Sequence, residues 1–290
     1  LLGDGSFNNK ELGDYELPTF QSVETLNTLE TFVSDDFFAF LDDAEGDNIA
    51  SSSNKLDVAI GRIPASNSRD ANIAVQKIKR YYQDAAYGNW RNIGTYVADD
   101  EDSNLHFTHA EENSNDFIVD VPTMNIEKIY LDAYRQVAGS GGGYYPDVND
   151  AIDKRVFKGS LFINYIGHGG INGLAEERVV RLEDIDAYDN YNKLHLFISA
   201  TCEFTRFDDF ENFSAGERVF FKEDGGSIAL VTTVRLVFAS KNRQMNLKFM
   251  NAMKVGMADR TLTLGDITKH AKNVTLTGSG NRKFICFFRR

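Results

Sequence analysis

Leu161-Phe162-Ile163-Asn164-Tyr165-Ile166-Gly167-His168 and Leu194-His195-Leu196-Phe197-Ile198-Ser199-Ala200-Thr201-Cys202 are two mostly apolar runs, and each ends on a reactive side chain. Short runs of this kind, rich in β-branched and aromatic residues and closed by glycine or polar residues, read as strands buried on both faces, as in parallel sheets. Between them, residues 182–190 are long enough for a short crossover helix. A right-handed parallel connection then brings both strand ends to one edge of a sheet. Open α/β folds place their sites at that edge. A thiol beside an imidazole is a nucleophile with its base, and this pairing is the most specific chemical statement in the chain.

Outward from this pair, strand and helix alternate. Residues 93–98, 126–131 and 227–233 read as further strands, and residues 147–157 and 215–223 as helices. Residues 105–113 also read as a helix. Upstream, the sequence predicts a strand remnant at Leu1-Leu2, an alternating stretch over 31–41, a strand over 56–60 and a helix over 70–82. That helix has Asp70 near its start and Lys77, Lys79 and Arg80 toward its end, as the helix dipole prefers. The pattern predicts an α/β fold, a parallel or mixed sheet with helices on both faces. Tyr87-Gly88-Asn89-Trp90 breaks it and divides a first lobe, residues 1–87, from a second, residues 88–290, that carries His168 and Cys202. The cluster Gly139-Ser140-Gly141-Gly142-Gly143 reads as a flexible loop rather than a phosphate cradle.

The 290 residues, 42% hydrophobic with 22 Phe, suffice for a large core. A net charge of −12 argues against nucleic acid as a partner, since phosphate binding needs clustered Lys and Arg. No run of about 18 apolar residues is present to span a membrane. The chain opens Leu1-Leu2-Gly3-Asp4-Gly5 without Met and is expected to be a fragment of a longer polypeptide. Its two cysteines, Cys202 and Cys286, are too few for a disulfide framework.

Cys202 on its own merits would be a buried core cysteine, but Glu203 to Asp209 turn polar at once and place the thiol at a strand exit. His168 could be a packing or capping loop residue. Its setting, Gly167-His168-Gly169-Gly170, instead strips side chains from around the ring and frees backbone N–H groups for a developing oxyanion. Gly169 N–H and Cys202 N–H are the expected oxyanion donors. No metal ligand set is assigned. His106 and His109 with Glu111 and Glu112 lack convergent partners for zinc. The acidic loop Asp42-Asp43-Ala44-Glu45-Gly46-Asp47 has Ser53 or Asn54 where an EF-hand needs Glu.

Histidine before cysteine on successive strands, 34 residues apart, resembles the caspase and gingipain clan of cysteine peptidases, and more finely the gingipain-like family. The carrying segments are residues 164–170, Ala200-Thr201-Cys202-Glu203-Phe204 with Arg206 to Asp209, and residues 232–240. Upstream, residues 33–43 and Gly61-Arg62-Ile63-Pro64 also match, so the likeness covers nearly the whole chain. It implies a caspase-like (gingipain-like) α/β fold of two fused lobes, a Cys-His dyad, and peptide-bond cleavage through an acyl-enzyme. It further implies an acidic residue that orients the imidazole, here matched to Asp102, although four consecutive acids also suit a solvated turn. It places Arg235 on a wall of the substrate groove, to meet a substrate carboxylate or to hold its loop. No cofactor is required on this likeness, and calcium is expected at most as a structural ion.

Within the family the segments are most similar to the branch that acts as the type IX secretion sortase. That implies a protein substrate, the C-terminal signal of secreted cargo, with other secretion components as possible partners. It also implies an extracytoplasmic location on the outer-membrane surface of a Gram-negative bacterium. The alternatives are a secreted hydrolytic protease and a catalytically silent scaffold or adhesion domain. The tail Ile285-Cys286-Phe287-Phe288-Arg289-Arg290 departs from the family, which puts the last strand and the role of Cys286 in question.

Overall fold

The computed structural model describes residues 1–7, 16–23, 26–27, 29–46, 49, 51, 53–259, 261–275 and, as backbone, 284–287. Asp47 of the acidic loop and residues 281–283 and 288–290 of the tail lie outside them.

Six strands form the central sheet: β1 (Ile93–Ala98), β2 (Asn125–Tyr130), β3 (Phe162–Ile166), β4 (His195–Ala200), β5 (Ser227–Thr233) and β6 (Phe284–Phe287). Their order is β6-β5-β4-β3-β1-β2. All neighbours are parallel except β6, which runs antiparallel on β5 with Cys286 opposite Val231. The tail therefore does close the sheet. Because the chain places β2 on one side of β1 and β3 on the other, the strand order reverses between β1 and β3. A crevice opens there beyond the carboxyl ends of the strands.

Period-two alternation along the buried strands builds two cores. Val97, Ile163, Tyr165, Phe197 and Leu230 face one side. They pack with α1 (Ser68–Tyr81), α3 (Pro146–Lys158), α4 (Leu182–Ala187) and α5 (Ala215–Phe221), which contribute Ala74, Val148, Ile152, Ile185 and Val219. Tyr96, Phe162, Ile166, Leu196 and Ile198 face the other. There they meet α2 (Glu101–Asp120), α6 (Ala239–Ala258) and α7 (Leu264–Val274) through Phe117, Met245, Phe249, Ile267 and Ala271. Strands covered on both faces have no polar side to show, which is why their sequences are so nearly continuous in apolar residues.

One polar residue interrupts the run of β3. Asn164 is fully buried and exchanges hydrogen bonds with Asn246 of α6, Nδ2 to Oδ1 at 2.9 and 2.8 Å. Asn113 of α2 donates to the same Asn246 Oδ1 at 3.3 Å. A buried amide needs such partners, and the network fixes α2 and α6 against the strand that leads to His168.

Residues 1–87 contribute α1 and, among the described residues, the antiparallel ladder Phe20–Gln21 with Val33–Ser34. Residues 56–60, expected as a strand, have no strand partner. The chain instead meets the N-terminal segment at an isolated Leu2–Ile63 bridge. In the stretch 31–41 only Val33–Ser34 is strand, followed by a 3-10 turn over Asp36–Ala39. Residues 139–143, expected as a flexible loop, form the tip of a hairpin between Val137–Gly139 and Gly142–Tyr144, with Ser140 and Gly141 as its turn.

Arg62 is fully buried and organises this region. It forks onto Asp35 at 2.6 and 2.8 Å and donates to the carbonyls of Gly3 and Asp4. Its guanidinium carbon also lies 4.9 Å from the centroid of the Phe207 ring, on the segment that follows Cys202.

Candidate active site

The site is built from three loops that leave β1, β3 and β4 at the same edge. The loop after β1 begins with Asp99, fully buried, whose carboxylate accepts the His168 backbone N–H at 2.8 Å. Tyr165, two residues before the end of the Gly167 turn, donates its hydroxyl to the His168 carbonyl at 2.6 Å and lies 3.3 Å from the same Asp99 carboxylate. Burial pushes the Asp99 carboxyl above its ordinary pKa, and the His168 N–H opposes that shift. Gly167 is required by this packing. A Cβ there would lie 2.6 Å from the Tyr165 hydroxyl and 2.8 Å from Asp99 Oδ2. The backbone on either side of the His168 ring is thus held by fully buried groups while the ring itself is half-exposed.

Asp102 reaches that ring because the chain departs from helix. Asp102, Ser103 and Asn104 have φ of 58, 56 and 66°, three successive left-handed residues without a glycine, and right-handed helix begins at Leu105. Left-handed L-residues cost roughly 1–2 kcal/mol each. The turn carries Asp102 Oδ2 to 3.2 Å from His168 Nε2 and 3.3 Å from His106 Nε2. The two imidazoles meet edge to face with centroids 5.1 Å apart. The closer pair is a hydrogen bond. The approach to His106 is an ion-pair contact that leaves its buried Nε2 without a hydrogen-bond partner. Burial, reinforced by His168, lowers the His106 pKa to about 4, with Asp102 opposing.

Cys202 occupies the matching place one strand over. Ile166 and Ala200 are paired in register, so His168 and Cys202 stand equally far beyond a paired position on adjacent parallel strands. The two loops are in contact, since a Cβ on Gly169 would lie 2.6 Å from Thr201 Oγ1. The thiol is partly buried against Val237, whose N–H donates to Sγ and whose carbonyl accepts from it, both at 3.5 Å. Glu203 follows in a left-handed conformation, φ 47°, which turns the chain sharply away from the thiol.

Gly169–Gly170 pairs with Gly173–Leu174 in a tight hairpin. Ala175 N donates to His168 O at 2.9 Å, making that a hydrogen-bonded pair. Antiparallel pairs alternate, so the next one, Gly169 with Leu174, leaves the Gly169 N–H pointing away from the hairpin. A cleft of about 700 Å³ opens beside this turn, lined by His168, Gly169, Gly170, Arg178 and Glu203 among others.

Of the two roles expected for Arg235, meeting a substrate carboxylate or holding its loop, its contacts are those of the second. It is 6% exposed and donates to both Asp208 oxygens, at 2.8 and 2.5 Å, and to its neighbour's carbonyl. Its own carbonyl accepts Glu203 N–H at 3.4 Å. The guanidinium is committed to Asp208 and clamps the segment after Cys202, so a substrate carboxylate would have to displace that partner.

The family model of peptidase family C25 matches residues 1–287. The chain belongs to peptidase family C25. Among solved structures it is similar to the Arg-specific cysteine proteinase gingipain R, with a TM-score of 0.69 at 14% identity over 89% of this chain and 58% of that one. The complex of Porphyromonas gingivalis RgpB pro- and mature domains gives 0.61 at 13% identity over 87% of this chain and 60% of that one. The Saccharomyces cerevisiae separase–securin complex gives 0.50 at 13% over 79% of this chain and 14% of that one. The chain thus spans about three fifths of the length of the gingipain structures it matches. At these identities the likeness establishes the fold, the gingipain-like, caspase-like α/β arrangement expected from the sequence. No curated protein sequence matches it.

Within this C25 chain the sequence pointed to His168, Cys202, Gly169, Asp102 and Arg235, and the first four lie on the loops that leave β1, β3 and β4 at one edge of the sheet. It did not point to Asp99, Tyr165 or Val237. The signal for Tyr165 was available: a hydroxyl in a fully buried strand must find a partner. His106, weighed with His109 as a metal ligand, turns to Asp102 and His168 instead, whereas His109 lines a different pocket with Glu112 and Arg243. Asp42, Glu45 and Asp57 bring carboxylate oxygens within 4.8 Å of one another, an all-oxygen set of the type a hard cation takes. Two of these carboxylates also close their own loop, accepting Leu41 N at 2.8 Å and Lys55 N at 2.9 Å.

Proposed function

We propose that this chain is the peptidase portion of a cysteine endopeptidase in which Cys202 is the nucleophile and His168 its base. The observation that carries the reading is the Asp102–His168 hydrogen bond at 3.2 Å, on a histidine placed level with Cys202 at the exits of paired strands. With Asp102 on Nε2, the free nitrogen is Nδ1, which takes the thiol proton. The thiolate attacks the scissile carbonyl carbon, and the oxyanion forms hydrogen bonds to Gly169 N–H and Cys202 N–H. Each such donor is worth about 2.7–4 kcal/mol of transition-state stabilisation. The imidazolium returns the proton to the leaving amine and a thioester remains. Water or an amine then attacks it, His168 takes the proton of that nucleophile, and the thiolate departs.

The finer reading is a sortase of the PorU type in type IX secretion. It would remove the C-terminal signal of secreted cargo, pass the acyl group to a surface amine, work at the outer-membrane surface, and associate with other secretion components. The segments around His168, Cys202 and residues 232–240 support it. Calcium, where it enters, is structural, and the Asp42, Glu45 and Asp57 oxygens offer it a place. A cargo-derived peptide incubated with the full-length enzyme, with and without an amine acceptor, separates the outcomes by mass spectrometry. The amide product is expected alongside the free acid. Free acid alone under every acceptor would reduce the reading to a hydrolase, and no cleavage, with no labelling of Cys202 by a thiol-reactive peptide probe, would reject the peptidase itself.

A further inference from the structure

Asp102 Oδ2, His106 Nε2 and His168 Nε2 all lie within 4.8 Å of one another. The carboxylate oxygen stands 3.2 Å from one nitrogen and 3.3 Å from the other. A tetrahedral zinc ion with bonds of about 2.0–2.1 Å keeps its ligand atoms roughly 3.3–3.4 Å apart, so both separations already match an edge of that tetrahedron. His106 adds an independent sign. It is 5% exposed, yet its Nε2 has no hydrogen-bond partner and faces the same carboxylate. Asp102 and His168 are both about half-exposed, which leaves the remaining side open to solvent.

We propose that Asp102, His106 and His168 form a binding site for a divalent transition ion, zinc in the first instance, with its fourth position open to water. Two imidazoles and one carboxylate suit zinc and its first-row neighbours, whereas calcium and magnesium prefer oxygen alone. One carboxylate and two neutral rings give the site a charge of opposite sign to the ion. Binding has a direct chemical consequence, which rests on the peptidase reading. A neutral imidazole that ligates through Nε2 carries its proton on Nδ1, so His168 can no longer take the thiol proton. Removal of the ion restores the base without any bond to Cys202 having formed.

The test uses the full-length protein carrying Cys202→Ser, which removes the thiol as a competing ligand and makes the binding measurement independent of activity. Calorimetric titration with Zn2+ is expected to give one ion bound at this site. Affinity should fall at least about tenfold in His106→Gln and in Asp102→Asn and stay unchanged in His109→Gln. Co2+ in the same protein should show the intense visible bands of a four-coordinate ion. In the protein with its cysteine intact, Zn2+ should inhibit peptide cleavage reversibly, and a chelator should restore it. Absence of stoichiometric Zn2+ binding, a six-coordinate Co2+ spectrum, or equal Zn2+ affinity with and without the His106 imidazole would each overturn the site. Equal Zn2+ inhibition in His106→Gln would place the ion on the thiol and imidazole alone and also overturn it. If the chain cleaves no peptide, the calorimetric and Co2+ measurements still decide the question of the ion.

Discussion

The Arg62–Asp35 and Arg235–Asp208 pairs and the Asp102–His106–His168 cluster use the same kinds of side chain to opposite ends. In the arginine pairs, side-chain exposure is 0 and 3%, and 7 and 0%, and the forks donate to carboxylates and carbonyls at close range. In the histidine cluster two members are 45 and 48% exposed, Asp102 is left-handed, and the buried His106 Nε2 has no hydrogen-bond partner. Buried charge that is fully answered fixes a fold. Charge left partly unanswered at an accessible edge is available for chemistry.

The contrast can be broken at its strongest point first. Cys202→Ala is expected to lower turnover by at least about 10⁴-fold with an unchanged melting temperature. A residual rate within tenfold of the parent would show that the thiol is not the nucleophile. On the structural side, Arg62→Ala strips a buried pair of one member and should cost about 3–5 kcal/mol in urea unfolding. The double change Arg62→Met with Asp35→Leu should recover much of that, and a single-change loss below about 1 kcal/mol would contradict the answered-charge reading.

Asp102→Asn should lower kcat/KM by about 10²-fold and leave stability within about 0.5 kcal/mol, since the carboxylate orients a ring at the surface rather than holding a core. An unchanged pH–rate profile in that variant would remove Asp102 from the base. The smallest effect concerns the acids near the arginine pairs. Burial raises Glu217 to about 8 and Asp4 to about 7. A folded state that holds protons the unfolded chain releases loses stability as pH rises, here from about 4.5 through 8. Melting temperature should therefore fall across that window, and Glu217→Gln should flatten the slope by an amount on the order of 1–2 kcal/mol. A slope identical in both proteins would assign the effect elsewhere.

The elements that form the floor of the site were legible because they are buried on both faces. Residues 93–98 and 227–233 read as strands with the boundaries they have, and Leu105 marks where right-handed helix starts. The strand expected over 56–60 failed for a tertiary reason: its pattern suits a strand, but the chain offers it only a bridge at Ile63. Helices α6 and α7 were equally legible, since their apolar residues recur at helical spacing, as at Met245, Phe249, Met250 and Met253. At the site, His168 and Cys202 were visible as reactive residues closing apolar runs. That Tyr165 needs a partner follows from its buried strand, but its choice of His168 and Asp99, and the meeting of His106 with His168, depend on loop conformations that no local pattern encodes.

The left-handed run at Asp102, Ser103 and Asn104 has one more consequence. Ser103→Gly would be accepted there with less strain, so selection for thermal robustness alone would drift toward glycine at that position. The price would be a loosened carboxylate beside His168. Comparing that position between fast and slow members of the family would show whether robustness and turnover trade against each other at a single bend.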